Sequence, residues 1–330
     1  MKKIYICLFI ILSMLTGCTS GVQNSVGDSD KIQIVSTVFP SYDWMREILG
    51  DNIDNVELTY LLDNGVDLHS YQFTTDDMIK ITNCDMLIYV GGESDTWIDD
   101  ALKIATNEDM VVVNLVDALG DLAKDEVIKE GMEHDHEHDE EHNHDEESSF
   151  EGETDEHIWL SIRNAQYLCS YLAEKLGGID PDNAEDYILN ANNYNAKLAN
   201  IDAQYADVVS EAKYNTVLFA DRFPFRYMVD DYNLDYYAAF PGCSAEIRAG
   251  FETVIFLANK VDELGLESIL VIETSDQALA GTVKDSTANK NQKILVMDSL
   301  QSINADDISN GVTYISKMEE NLEILKEALN

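Results

Sequence analysis

The chain has 330 residues, 45% of them hydrophobic and 25% charged, a mixture that supports a folded core and excludes wholesale disorder. Lys and Arg total 21 against 63 Asp and Glu, a formal net charge of −42. No Lys/Arg cluster exists to displace counterions from a phosphate backbone, which excludes nucleic acid as a partner. So anionic a protein attracts cations instead, although solvated surface carboxylates are the plainer account of the same charge.

Lys2 and Lys3 precede an apolar run over 4–15 that is too short to span a bilayer and reads as a secretory signal. The run ends in Leu15-Thr16-Gly17-Cys18, and small residues followed directly by Cys resemble the bacterial lipoprotein box. That resemblance implies cleavage after a signal of residues 1–17 and lipidation of Cys18, with several acyl chains holding the protein on the outer face of the membrane. Residues 18–30, rich in Ser, Gly and Asp, read as the tether of this anchor. Cys84, Cys169 and Cys243 have no paired spacing and sit beside apolar residues, so they read as buried, inert thiols rather than a disulfide framework.

From residue 31 the chain alternates short apolar runs with helical patterns. Strands are expected over 32–38, 56–62, 86–90 and 111–116, with helices over 42–49, 75–83 and 94–105 between them. The alternation returns at residue 214, with strands over 216–220, 235–240, 269–273 and 293–297 and a closing helix over 308–329. Apolar strands interleaved with helices indicate parallel sheets. The fold class is therefore α/β, in two lobes that each carry a parallel sheet flanked by helices: an N-terminal lobe over 31–180 and a C-terminal lobe over 214–330. Joining them, one long helix is expected over 181–213, with Asp180 as N-cap and Pro181 at its first position. Its buried stripe is Tyr187, Ala191, Tyr194, Leu198, Ile201, Tyr205 and Val208. Tyr and Ala at stripe positions favour packing on the protein's own lobes over a dimeric coiled coil, so the expected state is a monomer with a cleft of nearly fixed shape.

One segment breaks this pattern. Residues 133–147 read EHDHEHDEEHNHDEE, five His and nine acids in fifteen residues, within an expected mobile loop over 133–156. Its histidines, His134, His136, His138, His142 and His144, suit weak collection of divalent cations, since nothing fixes their geometry. A match to a protease motif at His138–His142 is discounted, because that motif needs an ordered helix and so biased a stretch generates such matches by chance.

Of seven histidines, only His69 and His157 lie outside the loop. His69 follows a predicted strand end in Gly65-Val-Asp-Leu-His-Ser-Tyr, the region where parallel sheets gather ligands. His157 lies in Asp155-Glu-His-Ile-Trp-Leu-Ser at a helix start. The stretches GVDLHSYQFTTDDMIKITNCDMLIYVGG and DEHIWLSIRNAQYLCSYLAEKL resemble the zinc- and manganese-binding solute-binding proteins of bacterial ABC importers, the ZnuA-like family. The His/acid loop and the long interlobe helix are similar too. The resemblance implies one metal held between the lobes, with His69 and His157 as ligands, and delivered to an ABC permease and its ATPase.

The C-terminal half departs from that family's pattern. A gapless match through Tyr227 and Tyr232 puts Arg222 at the family's ligand position, and a cation cannot bind metal. Asp221, one residue earlier, is the substitute the resemblance implies; a helix cap or an ion pair with Arg226 is the other account of it. Asp276, near the end of the strand over 269–273, is the implied last ligand, with Glu273 second to it and Glu246 a further possible carboxylate; Asp276 also suits a helix N-cap. Two imidazoles with one or two carboxylates fit Zn²⁺, and the imidazole-rich loop favours it over the alternative, Mn²⁺. Two further alternatives belong to other classes. A secreted metallohydrolase would need an open coordination position and a base, for which Glu156 is the candidate. A surface adhesin would need neither.

Overall fold

Short runs of Val, Ile and Leu form strands that are buried throughout at a sheet centre, as over Ser268–Ile272, and partly exposed at the edges, where Val112 and Val296 face solvent. The structure is a computed structural model that describes residues 31–133, 149–243 and 249–330. The expected signal, Cys18 and its tether, the five loop histidines and Glu246 lie outside the described residues.

In chain order the first half supplies β1 (Ile32–Ser36), α1 (Phe39–Leu49), β2 (Val56–Tyr60), α2 (Thr75–Asn83), β3 (Met86–Tyr89), α3 (Trp97–Lys103), β4 (Val111–Asn114) and α4 (Leu115–Leu119). These strands form a four-stranded sheet of order β2-β1-β3-β4, parallel throughout. A two-stranded antiparallel ribbon follows, β5 (Asp125–Val127) with β6 (Ser149–Thr154). The helices α5 (Ile162–Ile179) and α6 (Ala184–Ser210) come next. The second half supplies β7 (Thr216–Phe223), α7 (Arg226–Tyr232), β8 (Asp235–Pro241), α8 (Phe251–Leu264), β9 (Ser268–Ile272), α9 (Ala278–Ser286), β10 (Lys293–Met297), α10 (Ala305–Ser309) and α11 (Tyr314–Ala328). Its sheet is again parallel and four-stranded, of order β10-β9-β7-β8.

The strand period is visible in the cores. In β7, Val217 and Phe219 join a large core shared with the N-terminal lobe and the long helices, while Leu218 and Ala220 face a smaller core under α8 and α9. The 27 residues of α6 span about 40 Å at 1.5 Å per residue. Tyr187, Ala191, Tyr194, Leu198, Ile201 and Tyr205 are its buried residues. At one end Asn190 Nδ2 donates to Ile48 O of α1 at 3.0 Å; near the other, Tyr205 OH donates to Met318 O of α11 at 2.7 Å. The helix is thereby fixed to both lobes.

Two local expectations need correction. Pro181–Asn183 forms a separate 3-10 turn before α6, and the Asp180 carboxylate accepts from Asn183 Nδ2 (2.8 Å) and Tyr187 OH (2.7 Å), not from the first backbone N–H groups. The expected loop over 133–156 is also too long. Ser149–Thr154 is β6, and Glu133 is tied down, its N–H donating to Ala239 O at 2.9 Å and its carboxylate accepting from Gly250 N at 2.8 Å.

Leu198 is fully buried on α6 in the core that both lobes share. Leu198→Ala is expected to lower unfolding stability by roughly 2–5 kcal/mol, read by urea denaturation.

Candidate metal centre

The site forms where the carboxyl ends of both sheets meet, the position at which open parallel sheets bind ligands. After β2 the chain turns once through Leu68–Ser70, and Asp67 caps that turn by accepting from His69 N at 3.0 Å. The other Asp67 oxygen binds Arg222 Nη2 of β7 at 2.5 Å, so one carboxylate ties the His69 turn to the C-terminal lobe. The β5–β6 ribbon delivers the second histidine. Asp155 N donates to Lys124 O at 2.8 Å, and Asp155 O accepts from Tyr227 OH at 2.9 Å. Thus held, the Asp155 carboxylate accepts from both His157 N (2.9 Å) and His157 Nδ1 (2.8 Å).

That contact puts the proton of His157 on Nδ1 and turns Nε2 toward His69. The two Nε2 atoms lie 3.1 Å apart. Two Zn–N bonds of 2.0–2.1 Å at a tetrahedral angle would separate the nitrogens by about 3.3 Å, so an ion fits between them after a small shift. Cys243, just past β8, completes a group of three: among the described residues, one ligand atom each of His69, His157 and Cys243 lie within 4.8 Å of one another. Cys243 N donates to Glu126 Oε1 at 2.9 Å, which fixes the thiol's backbone.

The surroundings are largely buried and acidic. The His157 side chain is fully buried, and that of His69 is 4% exposed. Burial, and then the neighbouring His157, push His69 down to about 3, so it carries a neutral imidazole. Burial alone would lower His157 too, but Asp155 outweighs it and the value rises. Burial raises Glu126 and Glu156, and burial beside Glu126, Asp155 and Glu156 raises the Cys243 thiol.

The acids that the resemblance nominates have other partners. Asp221 lies in β7 where the pairing with β8 shifts register between Phe219 and Arg222, and its Oδ2 accepts from Ile272 N at 3.4 Å. It is neither a helix cap nor the partner of Arg226, which pairs with Asp230. Asp276 is exposed, and its Oδ1 accepts from Ala278 N at 2.8 Å at the start of α9. Glu273 accepts from Ser299 N and Ser299 Oγ, each at 2.8 Å. None of the three joins the His69–His157–Cys243 group. Sequence reasoning missed Cys243 because apolar neighbours read as core; the strand-end criterion that marked His69 applies equally to Pro241-Gly242-Cys243.

Two parallel-sheet lobes, a long connecting helix and, among the described residues, one cluster of groups that could hold a metal define the class of two-lobed solute-binding proteins. A family profile described as "Zinc-uptake complex component A periplasmic" (ZnuA) matches residues 34–328, and the chain belongs to that family. It is 30% identical over 327 residues to the zinc-binding lipoprotein AdcA of Streptococcus pneumoniae, covering 99% of this chain and 61% of AdcA. The chain therefore spans under two thirds of that relative's length. It is 27% identical to the high-affinity zinc uptake system protein ZnuA of Bacillus subtilis, over 98% of this chain and 95% of that one. Among solved structures it resembles the Zn(II)-bound ZnuA-like domain of Streptococcus pneumoniae AdcA, with a TM-score of 0.69 and 26% identity, covering 91% of this chain and 99% of the domain.

Gly92 makes a sharp test of the site's packing. Its φ is +94°, and an added Cβ would lie 2.4 Å from Glu156 Oε1. Gly92→Ala is expected to cost roughly 1–3 kcal/mol of unfolding stability from the backbone conformation alone, measured by urea denaturation.

Proposed function

We propose that the chain binds one zinc ion outside the cytoplasm and delivers it to the permease and ATPase of an ABC importer. The observation that carries this reading is the convergence of His69 Nε2 and His157 Nε2 at 3.1 Å beside Cys243. His69 and His157 are the proposed ligands of the N-terminal lobe. The C-terminal lobe's share falls to Cys243, whose backbone is already fixed against the pair. Asp221 and Asp276 would have to leave Ile272 N and Ala278 N to reach the ion. Imidazole and thiolate together favour Zn²⁺ over Mn²⁺, which prefers oxygen ligands. A thiol that must ionise to bind releases its proton as the metal enters, so the cation itself supplies the charge that stabilises the thiolate. The family's description and the AdcA name support the zinc assignment. The lipoprotein box supports anchoring through Cys18, and the His/acid stretch supports a metal-collecting role for His134, His136, His138, His142 and His144.

Elemental analysis of the purified chain, after loosely held ions are stripped, should give about one zinc per chain. His69→Ala and His157→Ala should each lose it; full stoichiometry in either variant means that the residue is not a ligand. A second test separates loop from cleft. Deleting residues 134–147, which spares the anchored Glu133, should leave the affinity of the cleft site unchanged in a chelator competition while reducing the number of weakly held ions.

A further inference from the structure

Two consecutive acids, Asp155 and Glu156, precede His157, and only the first has a role in the account above. Glu156 is 2% exposed. Its Oε1 accepts from Ser94 N at 2.9 Å, while its Oε2 is buried without a hydrogen-bond partner. That free oxygen lies 3.7 Å from His69 Nδ1. The Ser94 side chain serves both groups, its Oγ lying 2.7 Å from His69 Nδ1 and its hydroxyl acting on the Glu156 carboxyl. The backbone makes room for this arrangement at Gly92, where any side chain would meet the Glu156 carboxylate.

The chemistry follows from which nitrogen faces the ion. His69 Nε2 points at His157, so a metal in the cleft binds Nε2. A neutral imidazole bound through Nε2 keeps its proton on Nδ1. That N–H meets Ser94 Oγ and donates to it. The hydroxyl can then donate its own hydrogen onward, and the free Glu156 oxygen is the acceptor beside it. We propose that Glu156, acting through the Ser94 hydroxyl, is a positioning residue that holds His69 in its metal-binding tautomer and orientation, as Asp155 does directly for His157. The inference rests on the reading of His69 and His157 as ligands. It gives each histidine its own carboxylate, one direct and one relayed, both from the same dipeptide. Outer partners of this kind raise ligand basicity and typically control 10–100-fold in metal affinity.

The test is zinc affinity by chelator competition for the unaltered chain, Glu156→Gln, Ser94→Ala and the double variant, with thermal unfolding of the metal-free proteins alongside. Gln keeps an oxygen for Ser94 N but replaces the carboxylate. Each single variant is expected to bind zinc about 10–100-fold more weakly. The double variant should be no weaker than the weaker single, because both changes break one chain. If Glu156 acted only through its negative charge near the cation, its loss would persist in full in the Ser94→Ala background, and that result overturns the relay. Unchanged affinity in Ser94→Ala also overturns it, whether or not Glu156→Gln folds. If the unaltered chain itself holds no zinc in the cleft, the parent reading of the site fails; if it binds zinc and the single variants match it, the inference alone fails.

Discussion

A fully buried imidazole must find a partner for each ring nitrogen, because an unsatisfied polar atom in a dry interior costs roughly 1–3 kcal/mol. His157 meets this constraint on one side with the Asp155 carboxylate, 2.8 Å from Nδ1. Its other nitrogen lies 3.1 Å from His69 Nε2. The proton on Nδ1 thus determines where the lone pair of Nε2 points, and the rest of the site is arranged around that direction. Asp155 is itself immobilised from both sides, by Lys124 O and by the Tyr227 hydroxyl of the opposite lobe. A carboxylate free to rotate would leave the ring free as well.

The fold's contribution is to make two sheets present their carboxyl ends to one point and to keep them there. Beyond α6, several buried contacts cross between the lobes. Tyr60 OH donates to Ile303 O at 2.9 Å, Trp159 Nε1 to Ser299 O at 2.9 Å, and Tyr314 OH to Trp159 O at 2.6 Å. The Asp67–Arg222 pair adds an ionic tie directly behind His69. The Arg222 guanidinium is committed to Asp67. Cys243 lies at the end of the neighbouring strand, within 4.8 Å of the two histidines by ligand atom.

Most of the architecture was legible in the sequence, because runs such as Ile269–Ile272 and the stripe from Tyr187 to Tyr205 carry the periods of buried strands and amphipathic helices. The β5–β6 ribbon was not: Asp125–Val127 is three residues long, and Ser149–Thr154 reads Ser-Phe-Glu-Gly-Glu-Thr, polar and continuous with the acidic stretch. His69 and His157 stood out because only two histidines lie outside that stretch. Asp276 is ambiguous in the sequence. An acid after a strand looks the same in sequence whether it faces a ligand or caps the next helix, and its carboxylate is taken by Ala278 N. Cys243 and the Ser94–Glu156 pair depend on contacts between segments far apart in the chain, which no local pattern encodes.

The proposed site has two imidazoles and one thiolate gripping a single ion between the lobes. Zinc-edge X-ray absorption of the metal-loaded chain tests it directly. The expected spectrum shows scattering from two imidazole rings with nitrogen at about 2.0–2.1 Å, together with one sulfur at about 2.3 Å. A first shell of oxygen alone, with no imidazole signature, would contradict it.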